Sequence, residues 1–307
     1  MVSVSVRLVI GLTVLQTAVP QCEVVSTNPA ECGMRNSSDG WPFHVGLYRT
    51  EHNESLYFCG GTIVTSSLVI VSAHCVKPYR SEILTVHYGV SDLTQRDHTH
   101  WCRVETVIIH PDYRAPAFSD DIALLQLKDV IPFGTLARPI CLWPEQVQET
   151  ESQGGDDLTG TRGTSVGWGI GAHNVYTSVL QSAITVVLRQ SRCMEVFTEK
   201  LFEYNDFFCA GKWSRITPVC SGSGGSGFYV EHKDRFYLRG MTTFGIAPKG
   251  YYQCGVNTLT GLLNVVKYTG WIRDRIQELE PQQTTMAKSK ISDTSENENQ
   301  NPDPTTT

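Results

Sequence analysis

The sequence lacks the features that define several large classes of protein. No stretch approaches the roughly 20 consecutive apolar residues that a membrane-spanning helix requires. The formal charge is −6 and no block of lysine and arginine occurs, so nothing could replace the counterions of a nucleic acid. No two cysteines have the CxxC spacing of a zinc ribbon or a thioredoxin-like site. These absences predict no membrane span, no nucleic-acid partner, no metal ion and no cofactor.

The sequence does contain ten cysteines and 40% hydrophobic residues, which is typical of a folded globular protein. Residues 1–21 combine Arg7, an apolar run too short to span a membrane, and a small, polar end, which is the pattern of a secretory signal peptide. Export places the cysteines in an oxidising compartment, where they form disulfides. Asn36 and Asn53 each begin a glycosylation sequon. The sequence thus predicts a secreted, extracellular glycoprotein.

Short β-branched segments dominate the middle of the chain and predict strands. They include residues 57–58, 63–64, 68–71, 107–109, 122–125 and 184–187. Clusters of Gly, Pro, Asn and Ser separate them, which favours an antiparallel sandwich or barrel. One helix is predicted near the end, where apolar residues from Trp271 to Leu279 share a face and Pro281 terminates it. Residues 281–307 contain no aromatic residue and predict a disordered polar tail.

Three separated motifs carry the candidate chemistry. A Ser-Ala-His-Cys segment contains His74, an Asp-Asp-Ile-Ala-Leu-Leu segment contains Asp121, and a segment rich in glycine and serine occupies residues 220–227. A histidine, an aspartate and a glycine-serine elbow in this chain order are the layout of one class of serine hydrolase. In that class a buried carboxylate orients an imidazole, which takes the proton from a serine hydroxyl. His74 and Asp121 are therefore the candidate catalytic residues, although a buried Asp–His pair can also be purely structural.

The chain resembles the chymotrypsin/trypsin-like serine proteases from Gly-Trp-Pro-Phe at 40–43 to Tyr-Thr-Gly-Trp-Ile at 268–272. Further matches are Arg-Pro-Ile-Cys-Leu at 138–142, Gly-Trp-Gly at 167–169, Phe-Cys-Ala-Gly at 208–211 and Leu-Arg-Gly at 238–240. The resemblance implies an all-β fold of two packed six-stranded antiparallel β-barrels with a C-terminal helix and a cleft between the barrels. It divides the chain into a signal peptide (1–21), a disulfide-tied N-terminal segment (22–39), a protease-like domain (40–280) and the tail (281–307).

The resemblance also implies a set of disulfides. The implied pairs are Cys32–Cys141, Cys59–Cys75, Cys193–Cys209 and Cys220–Cys254. A further family disulfide is absent because neither Gly163 nor the region of Val230 supplies a cysteine, so both members are lost together. Cys22 and Cys102 remain, and either they pair with each other or Cys22 forms an intermolecular bond.

The elbow departs from the family pattern at its reactive residue. The family has Cys-x-Gly-Asp-Ser-Gly-Gly-Pro, and an ungapped match puts Ser223 on the aspartate and Gly224 on the nucleophile. Gly222 and Gly224 then form only a remnant of the oxyanion hole. Without a nucleophile, a histidine and an aspartate cannot make an acyl-enzyme. The alternative shifts the match so that Ser223 becomes the nucleophile, which displaces the hydroxyl by one Cα step, about 3.8 Å.

The activation segment has changed in the same direction. In the family, cleavage after a basic residue frees an Ile-Val-Gly-Gly amino terminus, whose ammonium pairs with the aspartate beside the nucleophile. Here polar residues 36–39 follow Arg35 without such a tetrapeptide, and the partner position is Ser223. Loss of one member of a buried ion pair is costly, whereas loss of both can be nearly neutral. The absence of the tetrapeptide is therefore consistent with the replacement of its aspartate partner by Ser223.

The resemblance also locates the substrate pocket. Pro218 occupies the position where a trypsin-like enzyme has an acid, and the remaining pocket residues are Thr243, Phe244, Gly245 and Gly261. A basic substrate side chain therefore has no counter-ion, and a remaining groove is expected to prefer apolar or small groups.

These residues together predict a secreted, inactive homologue that binds proteases, inhibitors or substrates of an extracellular, including innate immune, cascade. The alternatives are a serine endopeptidase that uses Ser223, or less directly Ser226, and a purely adhesive glycoprotein.

Overall fold

The computed structural model describes residues 32–35, 40–95, 100–115, 118–143, 158–170, 176–196, 206–212, 224–246 and 259–280. The expected signal peptide and polar tail lie outside these residues, as do Cys22, Asn36 and residues 220–223 of the elbow. Within the described part of the chain, no helix is both long enough and apolar enough to cross a membrane.

The first half of the chain forms a closed antiparallel barrel. Its strands are β1 (His44–Glu51), β2 (Glu54–Ile63), β3 (Leu68–Val71), β4 (Leu84–Tyr88), β5 (Trp101–Ile109) and β6 (Ala123–Leu127). They close in the order β1-β2-β3-β6-β5-β4. The inner face is apolar, with Val45, Leu47 and Ile63 almost completely buried. A closed barrel leaves no strand edge unpaired, and its apolar inner faces pack against one another. This half of the chain therefore has its own core.

The second half repeats the same architecture. Its strands are β7 (Arg162–Ile170), β8 (Tyr176–Val187), β9 (Phe207–Lys212), β10 (Gly227–His232), β11 (Arg235–Ile246) and β12 (Leu259–Asn264). They close in the order β10-β11-β12-β9-β8-β7. The predicted all-β fold of two six-stranded antiparallel barrels is therefore confirmed.

The helices among the described residues are short. They are α1 (Ala73–Val76), α2 (Gln190–Val196) and α3 (Thr269–Leu279), with 3-10 turns at Ser81–Ile83 and Val265–Tyr268. The predicted C-terminal helix is α3, and Ile272 on its apolar face is fully buried. Just after α3, the Glu280 carboxylate accepts hydrogen bonds from the hydroxyls of Thr65 and Ser67. The end of this helix is thereby fixed to the N-terminal barrel.

An aromatic cluster joins the two barrels. Phe43 and Tyr229 are fully buried and meet edge to face with ring centroids 4.7 Å apart, and Trp41 stacks on Tyr229 at 5.6 Å. Such a pair contributes about 0.5–1.5 kcal/mol beyond its buried area. The cluster holds the barrels together behind the cleft and thereby fixes the relative positions of the cleft residues.

Three disulfides join described cysteines. They are Cys32–Cys141, Cys59–Cys75 and Cys193–Cys209. Cys102 is also disulfide-bonded, and its partner lies outside the described residues, where Cys22, Cys220 and Cys254 are found. Its pairing with Cys22, and that of Cys220 with Cys254, stay predictions.

The site of the missing family disulfide is filled by an aromatic ring. A Cβ at Gly163 would lie 2.4 Å from the nearest ring carbon of Phe228. Phe228 lies opposite Ser165 in the β7–β10 pairing, and Tyr229 lies opposite Thr164. A side chain at position 163 would therefore require this ring to move, which is a packing reason why a cysteine does not fit here.

Candidate functional site

The structure brings His74 and Asp121 together at the junction of the barrels. His74 lies in α1 directly after β3, and Asp121 precedes β6. The strands β3 and β6 are neighbours, with Val71 opposite Ala123. His74 follows Val71 and Asp121 precedes Ala123, so the two residues are close in space. The backbone N–H of His74 donates to Oδ1 of Asp121 at 2.8 Å. The ring Nδ1 lies 2.7 Å from Oδ2, and both carboxylate oxygens are therefore engaged.

This arrangement fixes the orientation of the imidazole. Asp121 is fully buried, whereas the His74 side chain is 26% exposed. A buried carboxylate accepts the Nδ1 proton of the imidazole and leaves Nε2 as the proton acceptor. The pair therefore retains the geometry of a general base.

The neighbouring Asp120 ties this segment to the C-terminal barrel. Its backbone has a left-handed φ of 50°, and its carboxylate accepts a hydrogen bond from the Tyr268 hydroxyl at 3.1 Å. Burial, together with the nearby carboxylates of Asp206 and Asp120, raises the pKa of Tyr268 far above its usual value. The hydroxyl therefore stays protonated and continues to donate.

Gly224 faces His74 from the C-terminal barrel. A Cβ at Gly224 would lie 3.2 Å from Nε2 of His74 and 3.5 Å from the sulfurs of Cys59 and Cys75. A side chain at this position would thus project directly at the proton acceptor. The φ of Gly224 is outside the left-handed region, so the backbone does not require glycine there.

Backbone hydrogen bonds hold the elbow in place. The N–H of Gly60 donates to the carbonyl of Gly224 at 2.8 Å, and the N–H of Gly225 donates to the carbonyl of Thr242 at 2.8 Å. Gly225 does require glycine, because its φ is +76° and a Cβ there would lie 2.5 Å from the carbonyl oxygen of Gly60. The described end of the elbow is therefore built without any side-chain contribution from position 224.

Of the two candidate serines, Ser226 lies among the described residues and Ser223 does not. Gly222, expected in the oxyanion hole, also lies outside the described residues. Ser226 is fully buried, and its hydroxyl has no hydrogen-bond partner among the described residues. It lies beside Gly60 and His44, because a Cβ at Gly60 would be 2.3 Å from the serine oxygen and 3.1 Å from the histidine ring. Full burial disfavours Ser226 as a nucleophile, since a substrate could not reach it.

Of the residues expected to form the pocket, Phe244 fills the space over Gly261, where a Cβ would lie 2.1 Å from its ring. Among the described residues, the buried Thr243 hydroxyl has no hydrogen-bond partner, and no atom lies within 4 Å of a Cβ built at Gly245. Pro218 lies outside the described residues. An apolar or small side chain fits the expected pocket better than a charged one.

Sequence reasoning missed Phe118, which lies next to Phe244. Its ring contacts His74 edge-on with centroids 5.7 Å apart, and it lies 6.2 Å from the ring of Phe244. Phe118 has a left-handed φ of 56°, which is uncommon for a bulky residue and often occurs at functional sites. No sequence pattern marks such a backbone conformation in advance.

Among the described residues, one group has its donor atoms close enough together to hold a metal ion, and it consists of Cys59, His74 and Cys75. Both cysteines of this group form one disulfide. A metal-ligating cysteine is a thiolate, so this group does not fit a metal ion.

Two antiparallel six-stranded barrels, with a His–Asp pair at their junction and a glycine elbow opposite, define the architecture of the chymotrypsin-like serine proteases. The sequence matches the family described as Trypsin over residues 31–272. The chain therefore belongs to the trypsin family.

The curated relatives are long proteins named as proteases or clotting factors. Clotting factor C of Tachypleus tridentatus is 29% identical over 255 residues, which cover 77% of this chain and 24% of the relative. Bovine coagulation factor XI is 26% identical over 249 residues (80% and 37%), and the Drosophila melanogaster serine protease filzig is 30% identical over 224 (70% and 12%). The chain thus spans well under half the length of these three relatives.

Proposed function

We propose that this chain is a secreted trypsin-family homologue without peptidase activity, which binds a protease, an inhibitor or a substrate of an extracellular proteolytic cascade. The observation that carries this proposal is glycine at position 224, where a Cβ would lie 3.2 Å from Nε2 of His74. The proton acceptor is in place, and the residue aimed at it has no hydroxyl.

The missing hydroxyl is expected to abolish turnover. In subtilisin, removal of the serine nucleophile lowers turnover about a millionfold, which corresponds to about 8 kcal/mol of activation free energy. Asp121 still orients His74 so that Nε2 can accept a proton, but no acyl-enzyme can form without a nucleophile.

The binding role is supported by the retained cleft and by the relatives. Phe118 and Phe244 are only partly buried, so their rings offer an apolar surface to a partner. Several relatives are named as clotting or coagulation factors. A protein that has kept this surface while losing the nucleophile is suited to bind a cascade component without cleaving it.

Replacement of Gly224 by serine tests the proposal. The purified secreted chain, G224S and the matched control G224A are treated with a fluorophosphonate probe, which phosphonylates activated serines. We expect no labelling of the wild type or G224A, and at least about a hundredfold more labelling of G224S, because a positioned general base contributes about that much or more. Melting temperatures check that all three proteins are folded.

Ser223 provides the opposing test. Labelling of the wild-type chain that disappears in S223A would contradict the proposal and favour the endopeptidase with a displaced nucleophile. The absence of labelling in a folded G224S variant would contradict the view that the missing hydroxyl is by itself what prevents turnover. For the binding role, a Phe244→Glu variant that still captures every partner of the wild-type chain would favour an adhesive glycoprotein instead.

A further inference from the structure

A row of aromatic rings crosses four neighbouring strands of the N-terminal barrel. Tyr57 in β2 lies opposite Tyr48 in β1, and His87 in β4 lies opposite Trp101 in β5. Successive ring centroids are 5.7, 4.0 and 6.5 Å apart, with the last two pairs stacked. None of these residues belongs to the cleft beside His74.

A groove of about 540 Å³ lies over this row. Tyr48, His87 and Trp101 line it together with Asn53 and Leu56 of the β1–β2 hairpin. The volume falls within the roughly 300–1,000 Å³ typical of small-ligand sites. Leu56 is exposed and Trp101 is partly buried, so part of this apolar surface is accessible from solvent.

Asn53 lies at the tip of the hairpin, on the rim of the groove. β1 ends at Glu51 and β2 begins at Glu54, so the turn is His52-Asn53, and both residues have positive φ angles, 49° and 66°. Such a two-residue turn projects its side chains into solvent. Asn53 is exposed and is followed by Glu54 and Ser55, which completes a glycosylation sequon.

We propose that Asn53 carries an N-linked glycan that folds back into this groove and stacks its first N-acetylglucosamine residues on Trp101. In the attachment step, a lipid-linked oligosaccharide diphosphate donates the sugar. A bond forms between Nδ2 of Asn53 and C1 of the sugar, the bond from C1 to the diphosphate oxygen breaks, and the amide proton is released. This inference goes beyond the proposed function and requires only export through the secretory pathway.

The chemistry of the groove suits a sugar. The apolar face of a pyranose ring packs on an aromatic ring, while its hydroxyls need hydrogen-bond partners. The hydroxyls of Thr50, Ser55 and Thr85 line the same groove. A glycan attached at the rim also has a millimolar effective concentration there, which a free ligand or a protein partner would have to exceed.

The test uses the full chain secreted from a eukaryotic host. Mass spectrometry measures glycan occupancy at Asn53, and peptide-N-glycosidase release is timed on the native protein. We expect release from the wild type to be at least about fivefold slower than from W101A at equal occupancy, while W101F, which keeps an aromatic ring, retains the protection. If W101A does not fold, L56S, which changes another residue that lines the groove, replaces it, with the same expected loss of protection.

Three results would overturn the inference. These are an unmodified Asn53 in the secreted chain, equal release rates from the wild type and a folded groove variant, and a protein partner that binds the glycosylated wild type through Trp101. Each is independent of fluorophosphonate labelling, so the failure of one proposal would not be mistaken for failure of the other.

Discussion

The two barrels contribute to the cleft in different ways. The N-terminal barrel presents His74 and Asp121 with both carboxylate oxygens hydrogen-bonded. The C-terminal barrel presents Gly224, whose carbonyl accepts a hydrogen bond from the Gly60 N–H, and the N–H of Gly225 donates to the Thr242 carbonyl. Asp121 therefore supports the fold as well as the chemistry, because it satisfies the backbone N–H of His74, whereas a side chain at 224 would serve the chemistry alone.

Under the proposed function, this difference gives a reason why one half of the site is retained and the other is not. Loss of Asp121 would leave a buried N–H without a partner, which costs about 1–3 kcal/mol. Loss of a hydroxyl at position 224 leaves every described hydrogen bond of the elbow intact. A residue that also supports the fold is retained when the chemistry is no longer needed.

The disulfides permit a matched comparison of the barrels, with the largest expected effect. Cys59–Cys75 in the N-terminal barrel and Cys193–Cys209 in the C-terminal barrel each have a sequence separation of 16. Loop entropy alone predicts the same loss of about 3 kcal/mol for either double Cys→Ala variant. Urea denaturation measures both losses.

A larger loss for the Cys59–Cys75 variant would assign extra stability to the surroundings of His74. A larger loss for the Cys193–Cys209 variant would contradict the view that the N-terminal half of the site is the one held by the fold.

A smaller effect is expected from substitutions of one buried polar residue in each barrel. D121A should lower the free energy of unfolding by about 2 kcal/mol, because it leaves the His74 N–H unpaired. T243V should be neutral or stabilising by up to about 1 kcal/mol, because the Thr243 hydroxyl is buried and no described residue is a hydrogen-bond partner for it. Urea denaturation of both variants measures the contrast, and equal losses would contradict it.

The features that sequence could predict are those with a local pattern or a family motif. The alternating strands, the helix at Thr269–Leu279 and the positions of His74 and Asp121 follow from short segments. Each of these depends on neighbours in the chain, which is why the sequence alone was enough. The assignment of Gly224 to the nucleophile position depends on a one-residue register within the elbow and stays a prediction.

The features that could not be predicted depend on contacts between distant segments. Phe118 reaches His74 through a left-handed backbone conformation, and Phe244 covers Gly261 from another strand. The aromatic row of Tyr57, Tyr48, His87 and Trp101 comes from four strands, and its continuity depends on their register. No single segment contains this information.

The junction between the barrels contains a buried histidine. His44 in β1 is 2% exposed, and its Nδ1 lies 3.4 Å from the Tyr229 hydroxyl of the other barrel. Its Nε2 has no hydrogen-bond partner in the described part of the chain. Burial lowers the pKa of His44 from 6.5 to about 3. The folded protein therefore holds this ring neutral, whereas the unfolded chain binds a proton below pH 6.5.

This shift predicts an acid sensitivity that one substitution removes. Because the pKa of His44 is lower in the folded state, its contribution destabilises the fold progressively as the pH falls from about 6.5 to about 3. At pH 5 the loss relative to pH 8 is about 2 kcal/mol. Urea midpoints of the wild type should therefore decline below pH 6.5 more steeply than those of H44Q, while the exposed-histidine control H232Q follows the wild type. Parallel profiles for wild type and H44Q would show that the barrel junction is not the acid-sensitive part of the molecule.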